Sequence, residues 1–147
     1  MTSVIIRPAS LQDAAPVAAL SGQLGYPSTE GDLAERLSSV LEKDDHLVLV
    51  AKQGGNVVGW LHAFVAFRVE SPASAELGGL VVAESARGKG IGLQLVRAAS
   101  EWARGKGLQK IRVRANVARK ETHDFYLHIG FKQLKTQMVF STATDAE

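Results

Sequence analysis

The chain has no cysteine, which removes a disulfide framework, a cysteine-held zinc ion and thiol catalysis together. It also fits a reducing compartment. Aromatic residues are scarce at 6%, and none stands between Arg104 and Arg119, where a basic surface stacking on nucleic-acid bases would need them. The net charge is only +2, too small by itself to mark a nucleic-acid or membrane partner. No apolar run approaches the ~20 residues that span a bilayer. The opening Met1–Arg7 lacks the basic and long apolar regions of a signal peptide. The 4 histidines show no metal-ligand spacing, so no metal is expected. Internal repeats and low-complexity segments are missing too. These absences predict a soluble, cytoplasmic protein with no nucleic-acid or membrane partner.

What remains is an ordinary globular composition over 147 residues, enough for one domain with its own core. A single domain is expected over residues 1–141, with a frayed tail at 142–147. Val4–Arg7 reads as a strand stopped by Pro8. Asp13 is a fair N-cap for a helix reaching Leu24, with Val17, Leu20 and Leu24 as its apolar stripe. Ser28 or Thr29 caps a second helix whose inner face is Leu33, Leu37, Val40 and Leu41. Leu47–Ala51 and Val57–Phe67 flank Gly54-Gly55-Asn56 and form a hairpin by turn chemistry. Arg68–Ala75 is a loop, and Leu77–Val82 is short and apolar enough for a buried strand. A helix follows, with Leu95, Val96, Ala99, Trp102 and Ala103 at helical spacing and Gly105 and Gly107 as stop signals. Ile111, Val113 and Ala115 alternate with arginines in a further strand. Arg119–Ile129 reads as a short helix, and Phe131–Ser141 as a last strand. The order is β-α-α-β-β-β-α-β-α-β, an α/β fold with a mixed sheet and helices on both faces.

The chemistry concentrates at Arg87-Gly88-Lys89-Gly90-Ile91-Gly92, between the apolar strand and its helix. A glycine-rich turn into a helix aims free backbone N–H groups and the positive dipole end at one point, which binds an anion such as phosphate. From Arg87 to Lys120 arginines and lysines face a single acid, Glu101, which suits a polyanionic small molecule, although a solvated face is the plainer account. A nucleoside-triphosphate loop would need Lys-Ser/Thr after its second glycine, but Gly90 is followed by Ile91 and Gly92. The dinucleotide fingerprint fails in both registers, because Leu93 or Leu95 stands where its third glycine belongs.

The loop does fit Arg/Gln-x-x-Gly-x-Gly/Ala, and with it the chain resembles the GCN5-related N-acetyltransferases. The element order and the later run from Asn116 through Tyr126 to Gly130-Phe131 extend the resemblance over nearly the whole sequence. It implies acetyl-CoA as acetyl donor, with Arg87, Gly88, Lys89, Gly90, Ile91 and Gly92 at its pyrophosphate. Leu80, Val81 and Val82 would pair through their backbone with the pantetheine arm, in a gap where two parallel strands diverge, those ending near Val82 and Asn116. Tyr126 matches the family's general acid, and its phenol, with an ordinary pKa of ~10, can protonate a thiolate at neutral pH. Backbone N–H groups of Leu80 or Val81 can stabilise the oxyanion. With no cysteine, direct attack by an amine is the simplest route.

Other roles stay open at this level. Asn116 fixes either the cofactor or the start of the helix. His123, one turn before Tyr126, either touches the cofactor and relays a proton or is an exposed histidine. Glu76 begins the central strand on the side of Gly78, Leu80 and Val82, as a base for the amine or as a surface carboxylate. His62, beside Trp60 and Phe64, reads as a satisfied core or cleft histidine. Tyr26 and Glu70 lie in the two loops expected to flank the cleft, and with Glu76 they suit a cationic amine. Arg119–Phe131 resembles the aminoalkylphosphonate acetyltransferases, and the layout is like that of aminoglycoside 6′-N-acetyltransferases, but acceptor loops vary most within one fold. The acceptor is expected to be a small-molecule primary amine; a peptide acceptor and a non-catalytic acyl-CoA-binding module are the alternatives. The family commonly forms homodimers, but no residue here demands one.

Overall fold

The computed structural model describes residues 3–23 and 25–145. The chain divides into two compact units, the first ending at Arg114 and the second beginning at Ala115. The first holds five strands: β1 (Val4–Pro8), β2 (His46–Gln53), β3 (Asn56–Ala66), β4 (Ser74–Val82) and β5 (Ile111–Val113). It also holds helices α1 (Ala14–Gln23), α2 (Glu30–Leu41) and α3 (Ile91–Gly105). The strands lie in sequence order, antiparallel from β1 to β4, with β5 parallel to β4. Only that last pair needs a crossover connection, and α3 supplies it. The mixed α/β class therefore stands, with element order as expected as far as α4 (Lys120–His128) in the second unit.

Local chemistry accounts for the boundaries. A short 3-10 turn, Leu11–Asp13, precedes α1. Asp13 does not cap α1 forward; its carboxylate turns back to accept from the Ser10 N–H at 2.8 Å and from both terminal nitrogens of Arg7 at 2.8 Å. Leu24 lies outside the described residues. Thr29 caps α2, its hydroxyl accepting the Asp32 N–H at 3.0 Å. The β2–β3 hairpin turns on Gly54 and Gly55, at φ 58° and 83°, and this pair of positive φ values matches the right-handed twist of the strands.

Two register shifts shape the sheet. Lys52 pairs with Val57 but Ala51 pairs with Gly59, so Val58 is an extra residue on β3. Likewise His62 pairs with Gly79 but Ala63 with Leu77, which leaves Gly78 as a bulge in β4. Directly paired residues share a face. One face therefore carries Leu49, Ala51, Leu61, Ala63, Leu77, Leu80 and Val82, and the apolar stripe of α3, with Ile91, Leu95, Val96 and Ala99, is buried on that side. The other carries Val48 and Val50, which form a core with Val17 of α1 and Leu37 of α2, Trp60 packing at its edge.

That assignment corrects one expectation. Glu76 does lie on the side of Gly78, but not of Leu80 and Val82: past the bulge the alternation shifts by one, and Glu76 shares its face with Gly79 and Val81.

In the second unit, α4 is followed by Gly130 at φ 106° and then by residues 131–143 with no regular secondary structure. The last strand expected over Phe131–Ser141 is absent. Leu134 is the sole apolar residue from Lys132 to Gln137, so no alternating face exists there to bury. Met138, Val139 and Phe140 are exposed in succession. The described strands offer no partner for the segment.

Candidate active site

β4 ends at Val82, a short 3-10 turn follows at Glu84–Ala86, and α3 starts at Ile91. Gly88 at φ 77° and Gly90 at φ 79° take left-handed backbone that L side chains adopt only under strain. Gly90 is the N-cap of α3 and supplies no side chain to the first turn, which also contains no acid. The first-turn N–H groups are thus left to an outside acceptor, beside the positive end of a 15-residue helix dipole. Arg87 folds back, its Nε donating to the Val82 carbonyl at 3.2 Å, and so ties the loop to the strand. A cavity of about 430 Å³ opens at the preceding residues, lined by Gln23, Ala83, Glu84 and Ser85.

β5 pairs with β4 only over Ala75–Leu77. From the bulge at Gly78 to Val82, the edge of β4 has no β5 partner, so the strands part where Leu80, Val81 and Val82 begin. A bulge bends its own strand, and this one sits at the point of divergence. The expected gap is therefore present.

Glu76 lies one pair before the bulge with its side chain only 13% exposed. Its Oε1 takes Arg68 Nη2 at 3.3 Å and Arg114 Nε at 3.5 Å. Arg68 also donates to Ser74 Oγ at 3.3 Å. Arg112 and Arg114 alternate with Ile111 and Val113, so both arginines fall on the face of Glu76. Sequence reasoning found Glu76 and missed its arginine partners; the alternation in β5 was the available signal for Arg114.

The same face holds two histidines. His62 Nε2 and His46 Nδ1 are 2.9 Å apart, with ring planes only 12° from parallel, and Phe64 packs against both rings. Burial first, and then the charge of His46, hold the His62 imidazole below its ordinary pKa. A side-chain carbon at Gly78 would sit 2.8 Å from His62 Nδ1, so the bulge needs glycine to accommodate the ring. Gly79 is equally constrained: a carbon there would come within 2.7 Å of the Trp60 ring.

In the second unit Asn116 organises the start of α4. Its Oδ1 accepts the Ala118 N–H at 2.9 Å, and its carbonyl accepts from the Arg119 N–H at 3.0 Å and from His123 Nε2 at 2.7 Å. His123 is thus tied to the turn it follows. Tyr126 is 8% exposed and packs against Phe125 and Phe131, with centroids at 5.1 and 5.3 Å. Burial pushes its phenol up to about 12, which keeps it protonated at neutral pH. Tyr26 and Glu70 are both exposed, and no hydrogen bond or ion pair joins Glu70 to the Glu76 cluster among the described residues.

The acetyltransferase (GNAT) family model matches residues 15–131, most of the chain. The chain belongs to the GNAT acetyltransferase family. An aminoalkylphosphonate N-acetyltransferase of Salmonella typhimurium is 32% identical over 115 residues, 78% of this chain and 72% of that protein. The aminoglycoside 6′-N-acetyltransferase AAC(6′)-Ig of Acinetobacter haemolyticus superposes with TM-score 0.85 at 22% identity, covering 96% of this chain and 99% of that one. The aminoglycoside N-acetyltransferase AAC(6′)-Iy in complex with CoA gives 0.88 at 18% identity over 97% and 96%. These two likenesses establish the fold.

Proposed function

We propose that this GNAT protein transfers an acetyl group from acetyl-CoA to the primary amine of a small molecule by direct attack. The reading rests on one juxtaposition: an uncapped, acid-free helix start lies at the end of a strand whose outer edge is unpaired from Gly78 to Val82. The first feature suits a pyrophosphate, and the second suits an extended amide-bearing arm that adds to the sheet as a strand does. When bound, acetyl-CoA supplies an activated thioester. Gly88, Lys89, Gly90, Ile91 and Gly92 would hold its pyrophosphate, Arg87 would keep the loop tied to Val82, and Leu80, Val81 and Val82 would pair with the arm. Tyr126 donates a proton to the departing thiolate. Asn116 and His123 fix the turn from which α4, and with it Tyr126, begins.

Glu76 attracts the incoming ammonium. Arg68 and Arg114 give its surroundings a net positive charge, which favours an acceptor that carries an acidic group as well as the amine. That acceptor class agrees with the phosphonate relative better than with the polycationic aminoglycosides. Acetyl-CoA is expected to raise the thermal midpoint where ATP and NAD do not. Thiol release is then measured over aminophosphonates, aminoglycosides, polyamines, amino acids and peptides, with aminophosphonates expected to be fastest. Equal thermal shifts with ATP would sink the cofactor assignment. Cofactor binding without release from any amine would favour a non-catalytic acyl-CoA-binding module.

A further inference from the structure

His62 and His46 lie outside the loop, the parted strands and the tyrosine, yet their geometry is that of a proton acceptor. His62 projects from β3 beside the bulge in β4. Its Nε2 is engaged by His46 Nδ1 at 2.9 Å, and no hydrogen bond among the described residues reaches its Nδ1. That free nitrogen lies beside Gly78, 2.8 Å from where a side-chain carbon would be, and Gly78 is exposed. The missing side chain therefore leaves Nδ1 open to a ligand at the point where β4 and β5 separate.

We propose that His62, backed by His46, is the base that takes the proton from the acceptor amine. The inference rests on the acetyltransferase reading and assigns it a base. In the productive tautomer Nε2–H of His62 donates to His46 Nδ1, which leaves the Nδ1 lone pair of His62 facing the amine. One ammonium proton passes to His62 Nδ1, and Nε2–H can then pass to His46 Nδ1 and on to solvent. As the C–N bond forms and the C–S bond breaks, the second amine proton leaves the nitrogen for solvent, and Tyr126 gives its proton to the thiolate and recovers one from solvent, so that one proton is released in all. Glu76, with Oε1 held by Arg68 and Arg114, is left to the binding of the ammonium.

The surroundings leave His46 as the main electrostatic influence on the pair. Glu76 of β4 and Arg112 and Arg114 of β5 share the face. α1 carries no titratable side chain, and Glu30, Asp32, Glu35 and Arg36 of α2 are exposed. Burial and His46 both disfavour imidazolium at His62, so the free base is present at neutral pH. The rate at saturating acceptor is therefore expected to fall in acid, as His62 gains its proton.

The test follows thiol release from acetyl-CoA between pH 5 and 9 with saturating aminomethylphosphonate, and with tobramycin as a second acceptor. His62→Gln is expected to lower kcat roughly 100-fold or more and to abolish the acid limb, with the acetyl-CoA thermal shift preserved. His46→Phe, which removes the proton relay as well as the charge that His46 carries in acid, is expected to lower kcat and to move the acid limb to higher pH. A His62→Gln enzyme with undiminished kcat and the same acid limb overturns the assignment, as does an acid limb that His46→Phe leaves in place. If the wild type releases thiol with neither acceptor, nor with the wider amine panel, the acetyltransferase reading fails and this inference fails with it.

Discussion

Gly90→Ala isolates the backbone contribution of the loop. A carbon added at Gly90 meets nothing within 4 Å, so packing contributes no cost. The residue sits at φ 79°, where an L side chain is strained by about 1–2 kcal/mol. Alanine also restricts the unfolded chain, which returns roughly 0.4–1 kcal/mol. If the loop keeps its shape, the net loss, about 0.8 kcal/mol at the centre of these ranges and at most about 1.6 kcal/mol, falls on stability and lowers Tm by about 2–3 °C, at most about 6 °C. If the free loop relaxes, Tm is spared, the strain is met on binding, and affinity for CoA falls by up to roughly 5- to 30-fold. The two losses trade against each other because they share one source. Asparagine tolerates left-handed backbone better, so Gly90→Asn is expected to lose less by both measures. Differential scanning fluorimetry and calorimetric titration with CoA read the two quantities on the same samples. If Gly90→Asn proves as damaging as Gly90→Ala, or if neither changes Tm or affinity, the left-handed cap is not what organises the loop.

Tyr126→Phe is expected to lower kcat at least tenfold while leaving CoA affinity nearly unchanged; equal turnover would remove the phenol from the chemistry. Because burial raises that phenol to about 12, its protonated form supports the fold below pH ~10, and the support is lost as pH rises toward 12. Urea midpoints of wild type and Tyr126→Phe should therefore converge or cross over that interval. Asp13→Asn removes the charge from a carboxylate that is 4% exposed and accepts from Arg7 and Ser10, a loss of about 2–3 kcal/mol. Its hydrogen bonds to Arg7 lower the carboxyl pKa, so this contribution is full above pH ~4 and fades as pH falls, and the gap between variant and wild type should close in acid. Glu76→Gln is expected to raise KM for the amine more than it lowers kcat, with the acid limb unchanged; a vanished acid limb would make Glu76 the base instead.

Much of the scaffold was legible because each local signal agreed with its neighbours. The double-glycine hairpin, the Thr29 cap and the α3 stripe that runs from a glycine-rich start are all short-range, and all are present. Phe131–Ser141 failed for the opposite reason. Its β-forming residues have neither an alternating face nor a described partner strand, and propensity without a partner makes no sheet. The face of Glu76 was half legible: alternation correctly places it with Gly78, but counting in twos across a bulge assigns Leu80 and Val82 to the wrong side. The histidine pair was hidden by the same kind of event. A hairpin register counted from Gln53 and Asn56 would set Leu47 opposite His62, on the face away from His46. The extra residue at Val58 sets Val48 there instead and brings His46 onto the side of His62.

The two irregularities of the sheet therefore have connected consequences. Val58 turns His46 and His62 to a common face, and Gly78 bends β4 from β5 beside them. Because Gly78 is the bulged residue and lacks a side chain, the place where the strands part is also the place where His62 Nδ1 can be reached. An arrangement that depends on one missing carbon is open to a direct check. Gly78→Ala would put that carbon 2.8 Å from Nδ1, too close to remain without displacing the ring. Leu77 and Val81, buried on either side of the bulge, should keep β4 in place. Turnover is then expected to fall toward that of His62→Gln, while the acetyl-CoA thermal shift, set by the loop at Gly88–Gly92, stays near its wild-type value. A Gly78→Ala enzyme with full turnover would separate the bulge from the chemistry.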